Sequence, residues 1–192
     1  MSSKEKILNA LGHTNNSTQV ESELPFKPIT FEDTISEFKV NLELVGGKSI
    51  ELDQQPDIKD LVNELFPETG KLLSLTTDIE SSFELTNTQE GKDLNDLNIT
   101  VAEGHLAVAE NGAIWINTDN LPLRSALFIC QHLIIIVERN SFVNNMHEAF
   151  EKINFKNSDY GLFISGPSKT ADIEQALVIG AHGPRSCTVI IK

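Results

Sequence analysis

His132-Leu-Ile-Ile-Ile-Val-Glu138 is the stretch on which the architecture turns. A continuous aliphatic run of this length leaves no polar side for water, so the strand it forms must be covered on both faces, as strands of parallel sheets are. Downstream, Phe142, Met146, Ala149, Phe150 and Ile153 recur at helical spacing and predict a helix, with Met146 filling core space. Upstream, Leu106–Ala109 and Ala113–Asn117 read as short strands around Glu110-Asn111-Gly112. An Asn-Gly step accepts the positive φ angles that a tight hairpin needs.

The same alternation extends to both ends of the chain. Phe31, Ile35, Phe38, Leu42 and Val45 share one helical face, closed by Gly46-Gly47, and Lys48–Leu52 follows as a strand. Pro56 suits the first turn of a second helix carrying Ile58, Leu61, Val62 and Leu65, before a strand over Lys71–Leu75. Residues Thr77 to Asn98 are polar and weakly periodic, and no element is assigned there. The carboxyl end reads as strand Tyr160–Ser165, helix Ala171–Ile179 and strand Cys187–Ile191, a β-α-β unit whose crossover is right-handed. Lys4–Leu11 is an amphipathic helix candidate, and His13–Pro28, rich in Asn, Ser, Thr and Glu, reads as a mobile linker. Residues 1–30 are thus helix and linker, and 31–192 one domain. The expected fold class is α/β, a three-layer α/β/α domain around a largely parallel sheet.

Composition narrows the function. A chain of 192 residues with 40% apolar content can fill one core. A net charge of −13 leaves no basic stripe for a phosphate backbone, which argues against DNA and RNA. No apolar run approaches the roughly 20 residues of a membrane helix, and Met1–Leu11 lacks the apolar segment of a secretory signal, so the expected compartment is the cytoplasm. Cys130 and Cys187 are far apart and form no Cys-x-x-Cys pair, and the five histidines show no metal-binding spacing. No metal site is expected.

The chemistry-bearing segment is Gly166-Pro167-Ser168-Lys169-Thr170-Ala171-Asp172-Ile173-Glu174. Here a buried strand is expected to enter a helix through small hydroxylated residues. Free N–H groups at such a helix start bind anions, and Ser168, Lys169 and Thr170 add donors. Equally, Ser168 or Thr170 could cap the helix while Asp172 and Glu174 complement its positive end.

Together with Gly180-Ala-His-Gly-Pro184 and the terminal strand, this segment resembles the closing signature of the lactate-utilisation protein C family, the LUD domain proteins. Lys6-Ile-Leu-Asn-Ala-Leu-Gly12 and Ala109-Glu-Asn-Gly-Ala113 resemble it as well. The resemblance implies a fold similar to ribose-5-phosphate isomerases, glucosamine-6-phosphate deaminases and coenzyme A transferases. It also implies a role in oxidising L-lactate to pyruvate beside iron–sulfur partner proteins, with the clusters on those partners and no cofactor in this chain. Class I coenzyme A transferases are similar in having Glu-Asn-Gly, whose glutamate is the acyl-accepting nucleophile, and this makes Glu110 the catalytic candidate. The family pattern is usually Glu-Thr-Gly-Thr, from which Asn111 and Ala113 depart.

Three readings follow. One is an accessory subunit of lactate oxidation that binds a small carboxylate or phosphate in a pocket made by Gly166–Thr170, Asp172 and the Glu110-Asn111-Gly112 hairpin. A second is a free-standing acyl- or sugar-phosphate enzyme using Glu110, and a third is a non-catalytic docking domain. His105 and Arg124 flank the hairpin in sequence. His182 is expected at the opposite end of the last β-α-β unit from the Gly166 loop.

Overall fold

The aliphatic run forms β6 (His132–Val137) at the centre of a five-stranded sheet, with Leu133 through Val137 all buried. Its neighbours are β11 (Ser186–Ile191) and β3 (Leu97–Gly104), and β1 (Lys48–Glu51) and β2 (Lys71–Ser74) form the edges. The order is β1-β11-β6-β3-β2, and every adjacent pair is parallel. The computed structural model describes residues 3–12, 27–52, 57–67, 70–82, 94–119, 121–155, 160–173 and 176–192. Most of the expected linker, from residue 13 to 26, and Pro56 lie outside them.

One face of the sheet packs on α3 (Ile58–Leu65), whose Ile58 and Val62 meet Ile99, Val101, Ile134, Ile136 and Ile190. Asp57 caps this helix by accepting the N–H of Lys59. Because β1 and β2 occupy opposite edges, the chain that includes α3 traverses the sheet between them. The other face packs on α2 (Thr34–Leu44), with Phe38 and Leu42 buried, and on α4 (Ala126–Ile129), which Thr100 holds by donating its hydroxyl to Ala126 at 2.9 Å. Asp33 caps α2 through the N–H groups of Ile35 and Ser36. The helix ends where Gly46 adopts φ +82°, as the Gly46-Gly47 pair predicts.

A second, four-stranded sheet closes this side: β4 (Leu106–Val108), β5 (Ala113–Asn117), β7 (Phe142–Val143) and β8 (Gly161–Ile164), in the order β7-β4-β5-β8. The Glu110-Asn111-Gly112 hairpin is as expected, with β4 and β5 antiparallel. Helix α5 (Met146–Lys152) lies on its outer face over Leu106, Val108, Trp115 and Val143. Near the amino end, α1 (Ser3–Gly12) covers the expected helix.

The parallel sheet with flanking helices bears out the α/β expectation, but four details differ. Strand β3 begins at Leu97, inside the Thr77–Asn98 stretch to which no element is assigned, and runs on through buried Ile99, Val101 and Ala102. The helix expected from Phe142 begins only at Met146, because Asn145 turns its side chain to cap Glu148 N–H and frees Phe142 and Val143 to pair with β4. Strand β8 belongs to the second sheet, antiparallel to β5. The expected helix Ala171–Ile179 is instead a hairpin of β9 (Lys169–Ile173) and β10 (Ala176–Ile179), so no terminal β-α-β unit exists. Thr170, Ile173, Val178 and Ile179 include β-branched residues that suit a pleated ladder better than a helix.

Candidate ligand-binding cleft

Replacing a helix by a hairpin changes what the Gly166 loop can do. There is no helix N-terminus here, and the hairpin brings the chain back to the loop it left. Ser168 donates its N–H to the carbonyl of Pro184 and accepts the N–H of Gly180 on its own carbonyl, both at 2.9 Å. His182, expected at the far end of the unit, is therefore beside the loop.

Between the two arms lies a cleft of about 250 Å³. Its polar wall is Gly166, Pro167 and Ser168 on one arm and His182, Gly183 and Pro184 on the other. Its apolar wall is Leu127 and Phe128 of α4, Leu133 of β6 and Leu162, Phe163 and Ile164 of β8. A volume below that of drug-sized pockets suits a small molecule. Ser168 and His182 are the side chains able to hydrogen-bond an acid or phosphate, with apolar contact for the remainder. Of the other residues singled out in the loop, Lys169 and Thr170 leave along β9 and do not line the cleft, and Asp172 is on the same strand. Sequence reasoning missed Phe128 and Pro184. The paired dipeptides Gly166-Pro167 and Gly183-Pro184, which mark the two walls, were the available signal.

The Glu110 hairpin contributes to this region through its backbone. Asn111 accepts the N–H of Ala113 on its side chain at 3.0 Å and the Ser165 hydroxyl on its carbonyl at 2.8 Å, tying the turn to the residue before Gly166. Gly112 has φ +64°, and a Cβ there would lie 2.8 Å from the backbone of Leu42. Glu110 itself faces elsewhere. Its Oε1 accepts the N–H of Met146 at 2.7 Å, at the start of α5, where Glu148 and Asn145 also satisfy main-chain groups. Glu110 does not line the cleft.

His105 and Arg124 are not gathered at Glu110 either. His105 stands at the other end of the β4–β5 hairpin, in a cavity of about 380 Å³ with Trp115 and Lys152. Arg124 lies over the Tyr160 ring at 4.9 Å. At the amino end of β6, the His132 ring nitrogen Nδ1 is 2.8 Å from Ser186 Oγ, and partial burial together with Arg185 holds its pKa below the usual imidazole value. Burial pushes Cys130 up to about 11 and Cys187 up to about 12, so both stay thiols. Among the described residues no group of three or more His, Cys, Asp or Glu is placed to hold a metal ion, and no helix is long and apolar enough to cross a membrane.

The LUD domain family model matches residues 87–191, more than half of the chain and every residue of the cleft. The chain belongs to the LUD domain family. Among similar proteins, "Lactate utilization protein C" of Shouchella clausii is 32% identical over 108 residues, covering 53% of this chain and 46% of that protein. The protein of the same name from Geobacillus thermodenitrificans is 35% identical over 101 residues, 49% of this chain and 42% of its own length. This LUD chain thus spans less than half the length of those relatives. A crystal structure of a DUF162 family protein from Deinococcus radiodurans shares the fold, with a TM-score of 0.62 at 13% identity, covering 85% of this chain and 99% of that one.

Proposed function

We propose that this LUD domain chain serves lactate utilisation as an accessory subunit that binds a small anionic ligand in the cleft between Ser168 and His182. The supporting observation is one of placement: two Gly-Pro turns bring a hydroxyl and an imidazole to one end of a small, otherwise apolar cleft. The family match spans all of it, and the relatives named for lactate utilisation match about half of the chain. Under this proposal the iron–sulfur chemistry of lactate oxidation resides on partner proteins, and the chain contributes recognition.

The test is titration calorimetry of the full chain with L-lactate, pyruvate and inorganic phosphate. One of them binds saturably, and Ser168→Ala or His182→Ala weakens it about tenfold. Thr170→Ala, outside the cleft, leaves it unchanged. Absence of binding by all three at millimolar concentration, or binding indifferent to Ser168 and His182, refutes the site. The partner proposal is tested separately, by anaerobic affinity purification of the tagged chain from lactate-grown cells. Iron–sulfur proteins are expected in the eluate, and their absence counts against it.

A further inference from the structure

The two edges of the parallel sheet are finished differently. At β2 the returning chain closes the edge: Leu72 N–H donates to Ser82 Oγ at 2.8 Å, Ser82 N–H donates to the Leu72 carbonyl at 2.9 Å, and Ser74 N–H donates to Ser81 Oγ at 2.9 Å. At β1 nothing equivalent is present among the described residues. Leu52 donates its N–H inward to Ile191, so by alternation the main-chain groups of Ile50 also point inward and those of Ser49 and Glu51 point outward. Beside this bare edge runs a groove of about 640 Å³, walled by Lys39, Val40 and Glu43 of α2 and by Leu65 of α3. Val40 is 54% exposed and its helical neighbour Leu44 78%. An open edge beside exposed Val40 and Leu65 is a template for another strand.

We propose that a second copy of this chain covers this edge, its β1 pairing antiparallel with β1 about a two-fold axis at Ile50. In that register Ser49 faces Glu51 of the second copy, and each such pair exchanges two main-chain hydrogen bonds. Ile50 meets its own copy as the closer, non-hydrogen-bonded pair, on the face where Leu65 lies.

Charge supports an isologous contact. Lys39 and Glu43 lie one helical turn apart on α2 and both wall this groove. Two copies related by a two-fold axis can therefore set Lys39 of each against Glu43 of the other, so opposite charges meet twice. A chain of net charge −13 needs such local pairing to meet its own copy.

Sedimentation equilibrium of the full chain from about 1 to about 200 µM gives the test, with reversible dimerisation expected in this range. Ser49→Pro removes an outward N–H that no described group accepts, so the fold tolerates it as edge strands tolerate proline. Losing two intermolecular bonds should weaken the dimer about thirtyfold. Glu43→Lys and Lys39→Glu should each weaken self-association, while an equimolar mixture of the two associates, because one copy then presents two cations and the other two carboxylates. This swap carries the test if the proline variant fails to fold. A chain that stays monomeric throughout, or a dimer indifferent to Ser49→Pro and to the charge variants, overturns the proposal.

Discussion

Replacing Gly112 by alanine should cost about 2–4 kcal/mol of stability, and the figure follows from two separable effects. The first is conformational: at φ +64° an L-residue is in the left-handed region, which costs about 1–2 kcal/mol. The second is steric. The new methyl would lie 2.8 Å from both Cα and N of Leu42 and 3.1 Å from the carbonyl carbon of Asn41, and these are backbone atoms of a capped helix that no rotamer change can move aside. Overpacking of this kind costs about 1–3 kcal/mol, offset by about 0.4–1 kcal/mol from the stiffer unfolded chain.

Gly46→Ala supplies the control, since its φ of +82° carries the first effect while its nearest neighbour, in Pro167, is 3.6 Å away. It should cost only about 1 kcal/mol. Urea unfolding followed by circular dichroism measures both. For a chain of this size about 2–4 °C of melting temperature accompanies each kcal/mol, so Gly112→Ala should melt roughly 5–15 °C lower. Equal losses in the two variants would refute the claim that the turn is pressed against α2.

Other outcomes follow from the buried and capping groups. Cys130 and Cys187, both 1% exposed, should resist a thiol reagent at pH 8 until the chain unfolds, and rapid titration of either in the native state would contradict their raised pKa values. His132 has a lowered folded pKa, so as pH falls below about 6.5 the unfolded chain takes up the proton first and stability declines. His132→Gln should flatten that part of the stability profile between pH 7.5 and 5.5, and an unaltered profile would show that His132 is not responsible. Glu110→Ala should lose about 1–2 kcal/mol by orphaning Met146 N–H, while Glu110→Gln keeps an acceptor and loses less. Asn145→Ala, which removes a cap to Glu148 and a 2.7 Å bond to Ile29, should cost about 2 kcal/mol by thermal melting.

Where a residue's own neighbours decide its conformation, the sequence was readable. The aliphatic β6, the Asn-Gly hairpin and the stop of α2 at Gly46 are of this kind, and each stands where expected. Strand β3 was hidden because packing on the face of the sheet buries Thr100 against α4 and Ala102 in the core, contacts that neighbouring residues in the sequence do not announce. The segment after Gly166 failed for the opposite reason. Ala171 to Ile179 has tolerable helical spacing, yet Lys169 pairs with Ile179 and Thr170 with Val178, partners that a local window does not weigh. That one misreading displaced the candidate site. It put Thr170 and Asp172 at a helix start and separated His182 from Ser168, whereas the hairpin joins the latter two in one cleft. Glu110 was legible as a turn residue, but its engagement with Met146 depends on a helix that begins later than its apolar spacing suggests.

The carboxyl end of α2 is clamped from two directions. The Asn111–Gly112 turn approaches Leu42, and at Gly166 a Cβ would stand 2.6 Å from the carbonyl oxygen of Val45. The two turns are also linked to each other through Ser165 and Asn111. They form a triangle of close approaches in which neither turn can shift toward the helix without displacing its last turn. Hydrogen exchange at Val45, Gly46 and Gly47, whose amides donate to Asn41, Glu43 and Leu42, should then report events in the cleft without a probe being placed there.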